Sequence, residues 1–380
     1  MSQDFVRRMP DQSASLTRPP SVWARLHIDP LLLFLLLILT VFGLIVLYSA
    51  SGQSLATIAR QLQFLAIAYA AMLVVAQFNL ENIRRLAPLA YVVGIALLVA
   101  VIFIGVGAKG AQRWLGVGGF RFQPSEVMKL VVPLTVAWYF AARALPPRLR
   151  YIVVSLLVII LPTVLIARQP DLGTAILIAA SGLFVLFLAG ISWRYILGVI
   201  GLVVLLAYPM WEFVMHDYQR TRVLTLLNPE SDRLGAGWNI IQSKTAIGSG
   251  GWQGKGWLNG TQSQLDFLPE SHTDFIIAVL AEEWGLQGVL GLLALYLAII
   301  FRGLWIGVNA QHTFGRLLAG SITLTFFVYV FVNMGMVSGM LPVVGVPLPL
   351  VSQGGTALVT LLVGFGLLMA ISTEKRIIGQ

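Results

Sequence analysis

The sequence contains no cysteine and few charged residues. None of its 380 residues is Cys, and Asp, Glu, Lys and Arg together make up 11%. The lack of cysteine excludes disulfides and cysteine-based zinc sites, and soluble domains carry about a quarter charged residues. Hydrophobic residues make up 58% of the chain and the mean hydropathy is +0.85. We therefore expect most of the surface to face lipid.

The formal net charge of +9 does not indicate a nucleic-acid partner. Most basic residues lie in short loops between apolar runs, where they carry information on membrane topology. The glycine-rich stretch around Gly254-Lys255-Gly256 lacks the upstream glycine and the following Ser or Thr of a phosphate-binding loop.

Long apolar runs dominate the chain. A membrane-spanning helix needs about 20 mostly apolar residues, and ten runs approach this length: 30–48, 58–78, 87–107, 124–142, 150–167, 172–190, 193–211, 273–301, 313–340 and 350–372. The sequence thus predicts an all-α integral membrane protein with about ten transmembrane helices. Residues 28–373 form the membrane domain, between a cytoplasmic tail at 1–27 and a cytoplasmic end at 374–380.

The distribution of Lys and Arg predicts that both termini are cytoplasmic. With the N-terminus inside, inner segments hold fourteen basic residues, whereas short outer loops hold five: Arg60, Lys109, Arg113, Arg121 and Arg168. The long 212–272 segment, between the seventh and eighth helices, then faces outward. We expect this loop to contain short amphipathic helices that lie against the membrane surface.

Ionisable residues close to lipid need an explanation, since each costs about 2.5–3.5 kcal/mol to insert. Lys109, Arg113 and Arg121 interrupt the positive-inside pattern, and Glu126 and Lys129 follow at i,i+3 on one helix face. Glu126 alone fits a helix start, where the macrodipole favours a carboxylate. Lys129, one turn deeper, is left unexplained by that interpretation.

Two further carboxylates lie at predicted helix starts on the same side. Asp171 fits an N-cap with an ion pair to a neighbouring cation just as well as a functional role. Asp274 precedes an apolar stretch, and we expect its carboxylate at the mouth of the bundle, balanced between burial and nearby cations as suits a general base. Glu282 and Glu283 are expected to pair with other polar groups.

The 342–356 segment contains three prolines and three glycines. Such a segment does not form an ordinary helix, and irregular backbone at membrane depth lies buried in protein or beside a polar cavity. The charged groups and this segment together predict a site at the outer leaflet for an anionic amphiphile, whose diphosphate binds to cations.

These segments resemble the SEDS family (shape, elongation, division and sporulation), and in particular its elongation branch. The resemblance covers nearly the whole chain, and Gln353 departs from the tyrosine that is common there in the family. Five segments carry it: AQRWL at 111–115, FQPSEVMKL at 122–130, QPDLGTA at 169–175, GTQSQLDFLPESHTDFIIAVLAEEWG at 260–285 and GMLPVVGVPLPLVSQGG at 339–355.

The resemblance implies a peptidoglycan glycosyltransferase of the bacterial inner membrane that joins lipid II units by inverting transfer. It implies Asp274 as the general base and a functional pair of Glu126 and Lys129. Arg113 would steady the leaving undecaprenyl diphosphate. The other candidate substrate-binding residues are Lys109, Arg121, Asp171, Gln123 and Ser352.

The resemblance also implies a class B penicillin-binding protein as partner, the elongation machinery, and dependence on a divalent cation (Mg²⁺ or Mn²⁺). The sequence itself offers no dedicated metal-ligand cluster. The chief alternative function is a lipid II flippase or other transporter, since buried charges and a broken helix also suit a transport path. A scaffold without catalysis is the third, and it leaves Asp274, Glu126 and Lys129 without a purpose.

Overall fold

The computed structural model describes residues 22–108, 111–117, 120–215, 217–232, 236–264, 268 and 270–374. These residues are mostly helical. The helices are α1 (Val22–Arg25), α2 (Pro30–Ala50), α3 (Leu55–Ala76), α4 (Leu80–Ile104), α5 (Pro124–Ala141), α6 (Leu149–Ala167), α7 (Leu172–Leu188), α8 (Trp193–Pro209), α9 (Asp217–Leu227), α10 (Ala236–Gly250), α11 (Thr261–Gln264), α12 (Ile276–Asn309), α13 (Thr313–Val337) and α14 (Thr356–Ser372).

Within the described residues, six helices are long and apolar enough to cross a membrane, by length and composition alone: α2, α3, α4, α6, α12 and α13. Three more, α7, α8 and α14, are apolar but shorter. Each of the ten predicted runs overlaps a helix, and the prediction of a helical fold with several membrane-length apolar helices is confirmed.

The α13 helix lies at the centre of the bundle. In its most apolar window 67% of the residues are buried, against 22–39% in the other five long helices. Its Phe326 packs edge-on against Tyr296 of α12 and Phe365 of α14. The α2, α3, α4 and α6 helices leave many aliphatic side chains exposed, as expected for surfaces that face lipid.

A small antiparallel sheet departs from the all-helical prediction. Strands β1 (Val106–Ala108), β2 (Ala111–Val117) and β3 (Phe120–Phe122) connect α4 to α5 in the order β1-β2-β3. The sequence analysis treated this stretch as a loop. Pairing between strands gives main-chain groups hydrogen-bond partners that an irregular loop would lack.

The eighth predicted helix differs in two ways from its expected form. The α12 helix continues to Asn309, beyond the predicted end at residue 301, and it is interrupted at Gly285, where φ is +63° and ψ is −161°. That backbone conformation is essentially restricted to glycine. At this interruption, main-chain groups of a glycine-rich loop in the 212–272 segment form hydrogen bonds with α12.

The 212–272 segment contains short helices, as predicted. Within its described residues lie α9, α10 and α11, and α10 packs against α12. The tail at 1–21 and residues 375–380 of the predicted C-terminal end lie outside the described residues.

Candidate active site at the helix starts

Buried Glu126 and Lys129 form an ion pair in the first turns of α5. Lys129 Nζ lies 2.7 Å from Glu126 Oε1, and both side chains are at most 7% exposed. The ammonium also lies 5.2 Å from the centre of the Tyr329 ring. Glu126 Oε2 is buried without a hydrogen-bond partner among the described residues. The pair therefore neutralises two charges at a depth where either alone would be costly.

Asp171 belongs to a second cluster of charged and polar residues, at the start of α7. Its Oδ1 accepts the Thr174 N–H and lies 3.9 Å from Arg113 Nη1, which matches the predicted N-cap and ion pair. Its Oδ2 accepts a hydrogen bond of 3.1 Å from Gln123 Nε2. Arg113 also donates to the main-chain oxygens of Gln169 and Pro170. Three predicted site residues thus lie together.

The turn that carries Asp274 is held by the 342–355 segment, which is irregular as predicted. Gln353 N–H donates to His272 O at 2.9 Å, and the Ser352 hydroxyl donates to Thr273 O. The same hydroxyl accepts the Leu348 N–H at 2.9 Å. Ser352, a predicted substrate contact, thus has its hydroxyl engaged with main chain on both sides.

Residues 344–346 lie against both the turn that carries Asp171 and the turn that carries Asp274. A Cβ placed on Gly173, two residues after Asp171, would lie 2.8 Å from Val344 O. One placed on Gly345, where φ is +73°, would lie 3.5 Å from Asp274 Oδ2. Glycine is needed at Gly173 for the close approach and at Gly345 for its positive φ, and the irregular segment links the two carboxylate-bearing turns.

Glu282 and Glu283 pair with polar groups, as predicted, and they anchor the glycine-rich loop. Glu282, fully buried, accepts hydrogen bonds from Lys255 Nζ at 2.7 Å and from the Thr261 hydroxyl at 2.9 Å. Its Oε1 also accepts the Thr261 and Gln262 N–H groups. Glu283 accepts a hydrogen bond from the buried Ser49 hydroxyl of α2.

The same loop replaces main-chain hydrogen bonds that the break in α12 removes. Lys255 and Gly256 N–H donate to Glu282 O and Glu283 O at 3.0 and 2.9 Å. Leu286 and Gln287 N–H donate to Gly251 O and Trp252 O at 2.9 and 3.3 Å. The interrupted helix is thereby satisfied by protein, as main chain at membrane depth requires.

For two of the predicted site residues the structure does not describe the side chain. Lys109 lies outside the described residues, and for Arg121 the structure describes the main chain in β3 but not the side chain. In the part of the chain that is described, no three His, Asp or Glu side chains form a group suited to hold a metal ion.

Two buried amides beside the site, Asn333 and Gln61, were not predicted from the sequence. Asn333 of α13 donates from Nδ2 to Asp274 O at 2.9 Å and to Val346 O at 2.8 Å. Gln61 of α3 donates to Ser352 O and accepts the Gly354 N–H, both at 3.3 Å. Asn333 is a lone amide in an apolar stretch, which is itself a signal because buried polar groups need partners. Gln61 lies beside Arg60 and Gln63 and gives no such signal.

Comparison with known proteins places this arrangement in a family. The chain is 56% identical to the peptidoglycan glycosyltransferase MrdB of Escherichia coli K12, over 94% of this chain and 97% of that protein. It is 38% identical to the probable peptidoglycan glycosyltransferase FtsW of Geobacter metallireducens, over 92% and 95%.

Solved structures agree with the sequence relatives. A chain from a peptidoglycan synthase complex, studied for its coordination of polymerisation and crosslinking, matches with a TM-score of 0.82 and 30% identity, over 92% of this chain and 98% of that one. The rod shape determining protein RodA of Thermus thermophilus matches with a TM-score of 0.70 and 27% identity, over 92% and 97%. The family model for cell cycle proteins of the FtsW, RodA and SpoVE type matches residues 29–377, and the chain belongs to this family.

Proposed function

We propose that the protein is a peptidoglycan glycosyltransferase that joins lipid II units into glycan strands during cell elongation. The observation that carries the proposal is the juxtaposition at 344–346, where the Asp274 carboxylate meets the irregular segment that also packs on the Asp171 turn. Arg113 lies beside Asp171. One segment thus contacts both the Asp274 carboxylate and the turn whose Asp171 pairs with Arg113, an arrangement that suits transfer from a diphosphate-linked sugar.

The proposed reaction is an inverting displacement. Asp274 accepts the proton of the acceptor sugar hydroxyl, whose oxygen then forms a bond to the anomeric carbon of the donor. The bond from that carbon to the diphosphate oxygen breaks, and undecaprenyl diphosphate leaves with the electron pair. Positive charge near the leaving group stabilises the charge that develops there.

Arg113 and Lys129 are the cations that we assign to the diphosphate. Glu126 holds Lys129 through the 2.7 Å contact, and Asp171 with Gln123 orients the Arg113 region. Lys109 and Arg121 are proposed to attract the anionic substrate. Ser352 is proposed as a further contact, in addition to its main-chain hydrogen bonds.

We place the site at the periplasmic face of the inner membrane, in a protein with ten transmembrane helices and both termini in the cytoplasm. The bias of Lys and Arg toward the opposite side supports this orientation. In the same orientation, the 212–272 segment is the large extracytoplasmic loop. Lipid II, with its tail in the outer leaflet, would then reach the cations from the side.

The partner that fits this activity is a class B penicillin-binding protein, which crosslinks the strands that the polymerase makes, within the elongation machinery. The likeness to a chain from a synthase complex that couples polymerisation to crosslinking supports this partner. A Mg²⁺ or Mn²⁺ ion would be held by a carboxylate of the site, since these ions prefer hard oxygen ligands, and would supply positive charge to the leaving diphosphate.

A comparison of two assays separates this activity from lipid transport. Purified protein in detergent micelles, which have no second leaflet, is given lipid II with and without its class B partner, and glycan strands are measured by gel electrophoresis. The same protein in vesicles is tested for lipid II flipping. We expect polymer in micelles. Flipping in vesicles without polymer in either system would instead support a transporter.

A further inference from the structure

Asn333 is an isolated amide in the central helix. It is completely buried in α13, between Val332 and Met334. An asparagine amide offers two N–H donors and a carbonyl acceptor, and burying such groups without partners is costly. Its position therefore depends on what these donors contact.

Both donors go to main-chain carbonyls in two separate irregular segments. The contacts are 2.9 Å to Asp274 O and 2.8 Å to Val346 O. One side chain thus fastens the turn before α12 to the segment before α14. Helix α13 holds this side chain firmly, because it is the most buried of the six helices that are long and apolar enough to cross a membrane.

The contact to Asp274 is one of three hydrogen bonds to consecutive main-chain oxygens. The main-chain oxygens of His272, Thr273 and Asp274 accept hydrogen bonds from Gln353 N–H, the Ser352 hydroxyl and Asn333 Nδ2, respectively. We call these three donors the carbonyl clamp. Three consecutive carbonyls outside regular secondary structure are thereby fixed by groups from two other elements.

The clamp fixes the main chain that bears the Asp274 carboxylate. The side chain extends from a main chain that is held at its own carbonyl, and Oδ2 lies near the Gly345 main chain, 3.5 Å from the position of a Cβ there. Val346, whose carbonyl Asn333 also holds, is the next residue. Asn333 thus fixes both the main chain that bears the carboxylate and the surface that the carboxylate faces.

We propose that Asn333 is a positioning residue for glycosyl transfer, acting through the carbonyl clamp on Asp274. This inference rests on the proposed function of Asp274. A general base must lie within hydrogen-bond distance of the proton that it accepts, and a shift of about 1 Å can lower a rate about 100-fold. Asn333 does not touch substrate in this account.

The test is Asn333→Leu, which keeps the size of the side chain and removes both donors. We expect kcat for polymerisation by the full-length protein with its class B partner to fall about 10- to 100-fold. KM for lipid II should change less than about threefold, because no substrate contact is lost. Hydrogen exchange should increase in 270–276 and in 343–353.

Ser321→Ala is the matched control. Ser321 lies on the same helix, is also completely buried, and donates to Ser181 O at 2.6 Å, within the helical bundle and outside the clamp. Its loss should lower thermal stability and leave kcat within about twofold. A wild-type kcat in Asn333→Leu would overturn the proposal, and so would an equal fall of kcat in both variants.

Ser352→Ala provides a second variant if Asn333→Leu does not fold. It removes one member of the clamp and lies outside the helices, and a fall in kcat supports the clamp. KM is expected to rise as well, because Ser352 is also a proposed substrate contact. An unchanged kcat, or a rise in KM alone, overturns it. Asp274→Asn is run in parallel: polymerisation by that variant contradicts the proposed function, whereas its inactivity beside an active Asn333→Leu contradicts only the clamp.

Discussion

The antiparallel helices α2 and α12 are tied together at both ends, and the two ties differ in kind. At one end, Asp29 binds Arg302 through two contacts of 2.6 and 3.2 Å. At the other, Ser49 donates to Glu283 beside the break in α12. Asp29 and Ser49 are 20 residues apart, about 30 Å along a helix, which is close to the thickness of the hydrocarbon core.

The Asp29 end uses ordinary helix chemistry. Asp29 caps α2 by accepting the Leu32 N–H, and Asn79 caps α4. Glu374 lies there 3.6 Å from His312, and burial raises the pKa of its carboxyl, a shift that His312 opposes. A cavity of about 840 Å³ lies at this end of the molecule, beside the starts of α4 and α13.

At the Glu283 end the regular helix is interrupted. Side chains there provide hydrogen-bond partners for main-chain groups that lie outside regular secondary structure. Glu282, Asn333, Gln61 and Ser352 all contact main-chain groups there. Both ends have helix caps and ion pairs, as at Asp29 and at Asp171. At the site end, polar side chains also hold the irregular backbone of the α12 break and of the 342–355 segment. Irregular backbone is what allows close approach to a substrate.

The largest effect is expected when the buried ion pair is broken. Lys129→Met leaves Glu126 buried without a cation and should destabilise the protein by about 3–5 kcal/mol. Glu126→Gln combined with Lys129→Met should recover much of that loss, measured by unfolding in detergent micelles, yet form no polymer. Wild-type polymerisation by the double variant would show that the pair is only structural.

A smaller effect is expected at the break in α12. Gly285→Ala places a Cβ 2.4 Å from Gly254 N at a φ of +63°, and should cost about 2–4 kcal/mol. Gly291→Ala, in the same helix with nothing within 4 Å of the added Cβ, should be neutral or stabilising by about 0.5–1 kcal/mol. Equal stability of the two variants would contradict the packing of the loop into the break.

The smallest effect is expected at the Asp29 end. Asp29→Asn keeps the helix cap and weakens the contact with Arg302, so the free energy of unfolding should fall by about 1–2 kcal/mol. The rate of polymerisation should stay within about twofold of wild type. A loss of activity at unchanged stability would mean that the two ends are not functionally distinct.

The sequence predicted the apolar helices, the irregular 342–356 segment and most of the charged groups, because each leaves a local signal. Ten runs stand out by hydropathy, and Glu126 with Lys129 stands out by helical spacing. The break at Gly285 was missed, since one glycine in an apolar run does not reveal that another loop enters the helix. The contacts of Asn333 were missed because they join residues 59 and 13 positions apart, a pairing that only the fold determines.

The most direct test of the account is polymer formation by Asp274→Asn. The variant and the wild type are purified with the class B partner, checked for equal melting temperature and partner binding, and given lipid II in detergent. The account predicts that the rate of strand formation falls at least about 100-fold, since the amide cannot accept the proton of the acceptor hydroxyl. Strand formation at the wild-type rate would contradict Asp274 as the base and, with it, the proposed site.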